Sequence, residues 1–133
     1  MQSVRVLVVD EDLLLARALT ISLAAHGDVV HCLASIGQDG PFPRADVVLV
    51  GLSLLSTKDE IAAAETIVRL RSTYGSPVIG LTHDWSSARL KEETHAAGAD
   101  AWLRKPFDVR QLWDCIHEVV RDARDARVTL AFA

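Results

Sequence analysis

A chain of 133 residues is long enough for one domain with a single hydrophobic core. Half of it is hydrophobic and 24% is charged, a mixture that excludes disordered and collagen-like chains, and no apolar run approaches the roughly 18 residues of a membrane span. The net charge of −4, with both signs scattered along the sequence, argues against a direct grip on nucleic acid, because phosphate-binding surfaces are usually basic.

The first residues carry one basic side chain, Arg5, and pass straight into an apolar run. This is unlike a cleaved signal segment, and the expected location is the cytoplasm. Cys32 and Cys115 sit far apart among apolar residues and read as buried, reduced thiols. None of the five histidines has recognised ligand spacing, and Cys115-x-His117 does not amount to a metal site. No cofactor is expected.

In chain order, Val4 to Val9 is a short β-branched apolar run and predicts a buried strand. Leu15, Leu19 and Leu23 recur at helical spacing, with Asp12 placed as N-cap and Gly27 as stop. Asp28 to Leu33 predicts a second strand. The following SIGQDGPFPRA holds Gly37, Gly40, Pro41 and Pro43 where alternation would put a helix, so a loop with at most a short helical piece is expected. Asp46 to Val50 predicts the third strand, ending against Gly51. Lys58 to Tyr74 predicts a helix with Ile61, Ile67, Val68 and Leu70 on its apolar face, stopped by Gly75, Ser76 and Pro77. Pro77 to Thr82 is the fourth strand, and the helix after it runs to Ala97 and closes at Gly98. Ala101 to Leu103 is a short fifth strand broken by Lys105-Pro106. A long helix from Asp108 buries Leu112, Ile116, Val119 and Val120.

Strands alternating with helices predict an α/β fold: a doubly wound, five-stranded parallel sheet with helices on both faces. Residues 1–127 form the expected domain and residues 128–133 a tail or linker, in which Val128, Leu130 and Phe132 alternate with small or polar residues. In such sheets the functional groups gather beyond the carboxyl ends of the strands. Asp10 and Glu11 follow the first strand, Gly51 the third, Thr82 ends the fourth, and Lys105 follows the fifth.

With VRVLVVDED at the start, VIGLTHD at the fourth strand and AAGADAWLRKPF near the end, the sequence resembles the receiver domain of two-component response regulators over nearly its whole length. The resemblance implies a flavodoxin-like fold and a pocket in which a histidine kinase transfers a phosphoryl group to an aspartate after the third strand. It implies that Asp10 and Glu11 stand where the family holds magnesium, that Thr82 stands where a hydroxyl contacts the phosphoryl oxygens, and that Lys105 stands where a lysine pairs with them. Trp102 occupies the place of the aromatic that changes rotamer on activation.

The departure is at the acceptor itself, where this chain has Gly51. Glycine carries no nucleophile, so covalent phosphoryl capture has no starting atom, and the metal site loses a carboxylate. No metal site is expected, Asp10 and Glu11 being left to attract a cation only weakly, and Lys105 is left to pair with them directly. The expectation is therefore an atypical receiver that is not an enzyme. It works without aspartyl phosphorylation, through protein partners and as a homodimer, and is a candidate input domain of a transcriptional regulator. The family's partner-binding face, formed by the fifth strand and the helices flanking it, would here present Trp85, Arg89, Lys91, Trp102, Arg104, Arg110 and Trp113. Tryptophan and arginine are favoured at such hot spots. Two other readings stand beside this one: a receiver-like module that senses a small ligand in the space opened at Gly51, and a residual enzyme using Ser53. Contact with nucleic acid or with a membrane is not expected of this domain.

Overall fold

The computed structural model describes residues 4–9, 13–25, 28–33, 44–51, 60–82, 98–104 and 108–131. Five strands, β1 (Arg5–Val9), β2 (Val29–Leu33), β3 (Val47–Gly51), β4 (Val78–Thr82) and β5 (Ala99–Arg104), form one sheet in the order β2-β1-β3-β4-β5. Every pairing is parallel. The described helices are α1 (Leu13–Ala24), α2 (Glu60–Tyr74) and α3 (Val109–Ala131). None of them is long and apolar enough to cross a membrane.

Parallel strands need crossover connections that cover both sheet faces, which is why their sequences are apolar without interruption. β3, VVLVG, is buried at every position. Alternate side chains feed two cores. On one face Val6, Val8, Val47, Leu49, Ile79 and Leu81 pack with Leu19 and Leu23 of α1 and with Leu112, Ile116 and Val120 of α3. On the other, Leu7, Val9, Val48, Val50 and Val78 pack with Ile67 and Leu70 of α2.

Several boundaries differ from the sequence reading. β3 continues through Gly51, which pairs with Leu81, because the backbone ladder does not require a side chain. β5 begins two residues early, at Ala99, and a register shift between Val78 and Ile79 leaves Asp100 as an extra residue. The bulge puts Ala99 and Trp102, three apart, on the same core face. Val68 does not belong to the apolar face of α2: it is 49% exposed, since the helical turn that points Ile67 and Leu70 inward swings Val68 aside. α3 runs on past residue 128 and stays helical to Ala131, with Arg121, Asp122 and Asp125 exposed along it. The expected loop across residues 35–45, the helix ending at Ala97 and the caps Asp12 and Gly27 fall largely or wholly outside the described residues.

Acids anchor the amino-terminal edge of the sheet. Asp28, although buried, accepts a hydrogen bond from the Val4 N–H at 3.1 Å, and its other oxygen lies 3.3 Å from His117 Nε2 on α3. Asp46 accepts from the Arg5 N–H at 2.9 Å, with Arg124 of α3 at 3.8 Å. Asp100 accepts from the Val78 N–H at 2.9 Å and from Arg71 of α2 at 2.6 Å. The first N–H groups of a strand lack ladder partners, and a carboxylate satisfies them while tying in a helix.

Two glycines hold the turns at this edge. Gly75 (φ 64) ends α2, its N–H bonding the Arg71 carbonyl at 2.8 Å. Gly98 (φ 111) enters β5, and a Cβ there would meet Arg71 Cδ at 2.6 Å. Gly98→Ala therefore carries backbone strain and also pushes Arg71 off Asp100. The expected loss is roughly 1–3 kcal/mol. Gly75→Ala, where a Cβ meets nothing within 4 Å, should cost less. Urea midpoints of the two variants that came out equal would contradict this.

Candidate functional site

The strand register determines what comes together at the carboxyl edge. Val9, the last residue of β1, lies beside Val50 of β3. Gly51 lies beside Leu81, and Thr82, the last residue of β4, lies beside Arg104 of β5. Adjacent strands are about 4.8 Å apart, so the segments beginning at residues 10, 52, 83 and 105 leave neighbouring strands at one edge. Gly51 and Thr82 are at that edge. Asp10, Glu11, Ser53 and Lys105 lie outside the described residues, as do Trp85, Arg89 and Lys91, and the side chains of Thr82 and Arg104 are likewise not described. The expected pairing of Lys105 with Asp10 and Glu11 falls there too.

At the end of β3 the backbone is buried and no carboxylate projects from it. Among the described residues no cluster of histidine, cysteine or acid could hold a metal ion. The described part of this edge thus supplies neither a nucleophile nor a metal ligand from a side chain.

Trp102 is half-buried on the α2 face, packed against the core that contains Val50, Ile67 and Leu70. Its strand neighbour on β4 is Gly80. The indole Nε1 is buried and has no hydrogen-bond acceptor among the described residues. A buried donor in that condition costs about 1–3 kcal/mol, so the ring is held by packing against an unmet polar demand.

Trp113 does not join it. Trp113 lies on α3 on the opposite face of the sheet, packed against the core shared with α1, and its ring centroid is 4.2 Å from that of His117. Of the three tryptophans assigned from sequence to the face around β5, Trp102 thus packs on one side of the sheet and Trp113 on the other, and Trp85 lies outside the described residues. Arg110, also assigned to that face, is exposed, and its N–H is capped by Asp108 Oδ1 at 2.8 Å.

Cys115 is a free thiol, half-buried on α3 rather than fully buried, and the side chain of Cys32 is not described. Burial, reinforced by the neighbouring Glu118 charge, pushes the Cys115 thiol above its ordinary value of 9.0. Burial likewise raises Tyr74 above 10.0. A folded-state value above the unfolded one stabilises the protein below the unfolded value and is lost as pH rises through the folded one. The domain should lose stability progressively above about pH 9, and Cys115→Ser should soften that loss. A thiolate absorbance titration giving Cys115 an ordinary value would refute the prediction.

The aspartates at the amino-terminal edge escaped the sequence reading, where Asp28 and Asp46 served only to open strands. An aspartate just ahead of a predicted parallel strand was the available signal, since it is placed to accept an N–H of the neighbouring strand.

No protein-family model matches the sequence, and a search of curated proteins finds no match either. Solved structures do match. The chain is similar to a response regulator receiver protein from Burkholderia phymatum, with 26% identity, TM-score 0.69, and 89% of this chain and 95% of that one covered. It is similar to a CheY-like receiver domain protein from Methanospirillum hungatei JF-1, with 23% identity, TM-score 0.75, and coverage of 94% and 99%. It also matches NtrX from Brucella abortus, solved with ADP, at 12% identity and TM-score 0.75, covering 98% of this chain and 29% of that longer one. The fold is the flavodoxin-like, CheY-like receiver fold, as the sequence motifs implied.

Proposed function

We infer that the chain is a signalling module of receiver type that works without aspartyl phosphorylation, through contacts with protein partners and as a homodimer. It is not an enzyme, it acts in the cytoplasm, and it does not itself touch nucleic acid. One observation carries this reading: β3 ends on Gly51, at the sheet edge where a receiver needs its acceptor carboxylate. Nucleophilic capture of a phosphoryl group needs an electron pair on a side chain. Glycine has none.

The receiver-type neighbours support a role in signal transduction, and the match to part of the longer NtrX chain supports an input-domain role. Trp102 supports a response by contact. Its unsatisfied indole N–H gives the ring a reason to find an acceptor when a partner repacks the end of β5.

The test is direct. After incubation with acetyl phosphate and Mg²⁺, the intact mass of the protein should be unchanged. A stoichiometric phospho-adduct on any residue would overturn the reading, and an adduct on Ser53 would favour the residual enzyme instead.

A further inference from the structure

A helix packed on a sheet normally turns a polar side to water. α1, LLLARALTISLA, has hardly any. Its inward residues Ala16, Leu19 and Leu23 are buried, yet Leu14 is 80% and Ile21 73% exposed. Ala18 and Ala25 are exposed as well, and the 14–18–21–25 spacing makes one outward apolar row. At 1.5 Å per residue the row is about 16 Å long. The only charge on the helix, Arg17, is exposed beside it.

α3 packs alongside α1 over the same core, and it carries an exposed row at the same spacing: Asp114, Glu118, Arg121 and Asp125. These residues share a cavity wall with Trp113 and His117, and His117 reaches Asp28 just beyond the end of α1. One surface therefore offers an apolar ridge with a single cation, bordered by a row with three acids and one base.

We propose that α1 is the self-association face of this protein, a second copy of the chain laying its own α1 antiparallel on the first about a two-fold axis. The proposal rests on the dimeric part of the functional reading and supplies its surface. An isologous contact must be self-complementary, and this surface is. The apolar rows meet at the axis, and Arg17 of each copy reaches the acidic row of the other at Glu118. A stable interface covers about 800 Å² per partner as an apolar centre with a polar rim, and the α1 row with the α3 row beside it has that composition.

Sedimentation velocity of the whole chain across a concentration series tests it. The wild type should be dimeric at micromolar concentration. Leu14→Glu/Ile21→Glu should weaken the dimer at least about 100-fold, with the circular dichroism melt retained because both side chains are exposed. Arg17→Glu should weaken it as well, and Arg17→Glu/Glu118→Arg should restore it. A wild-type dimer that none of these substitutions weakens places the contact on another face and overturns the inference while leaving self-association intact. A wild type monomeric up to about 100 μM removes both, the inference and the dimeric reading together.

Discussion

On the function proposed above, Gly51→Asp should give the chain a phosphoryl acceptor that the wild type lacks. The substitution puts a carboxylate at the end of β3, beside Leu81 and one strand away from the end of β1. Its oxygen would attack the phosphorus of acetyl phosphate, the bond to the acetate oxygen would break, and an aspartyl phosphate would remain. The resemblance to receivers implies that Asp10, Glu11, Thr82 and Lys105 still provide the surroundings such a step requires. Nucleophile loss is commonly worth many orders of magnitude in rate, so the contrast with the wild type should be qualitative. Intact mass after incubation with acetyl phosphate and Mg²⁺ measures it, and hydroxylamine, which cleaves acyl phosphates, confirms the linkage. A variant that folds but acquires no adduct would show that more than the acceptor has been lost from the pocket.

The second large effect concerns stability. Leu49 is fully buried at the centre of β3, between β1 and β4, and packs with side chains from α1 and α3. Leu49→Ala should cost about 3 kcal/mol, the transfer energy of the lost methyl groups plus the cavity they leave. Against a typical total of about 5–15 kcal/mol this is a large share of the folding energy. Val68→Ala, at a position 49% exposed on α2, should stay within about 0.5 kcal/mol. The difference should appear as a shift of the urea midpoint at unchanged slope. Equal midpoints would mean that the central strand is not where the fold keeps its stability.

The register of the sheet explains why glycine at the end of β3 is tolerated by the fold. Gly51 contributes its backbone to the ladder as any residue would, so the strand forms without the carboxylate. What glycine removes is the one feature of that position that reaches beyond the sheet. The buried, unsatisfied indole N–H of Trp102 is a second place where folding is not fully optimised. Such polar strain is affordable only where the surrounding packing holds it, here through the Val50, Ile67 and Leu70 core.

Much was legible in the residues alone, because it depends on short-range pattern. Short apolar runs rich in β-branched residues, such as Val47 to Val50, read as strands buried on both faces, and their alternation with helices points to a parallel sheet. That Gly51 stands at a strand end without a nucleophile is likewise a matter of identity and order. Tertiary structure decided what depends on direction and distance. The bulge at Asp100 sets Trp102 on the α2 face, while α3 carries Trp113 to the other, which no local pattern in the sequence shows. The partners of Asp28, Asp46 and Asp100 lie 24, 41 and 22 residues away, beyond any local pattern. The outward row on α1 was hidden for a related reason: in a helix with leucines on several sides, composition does not say which leucine faces the core, and only packing against the sheet buries Leu19 and leaves Leu14 in water.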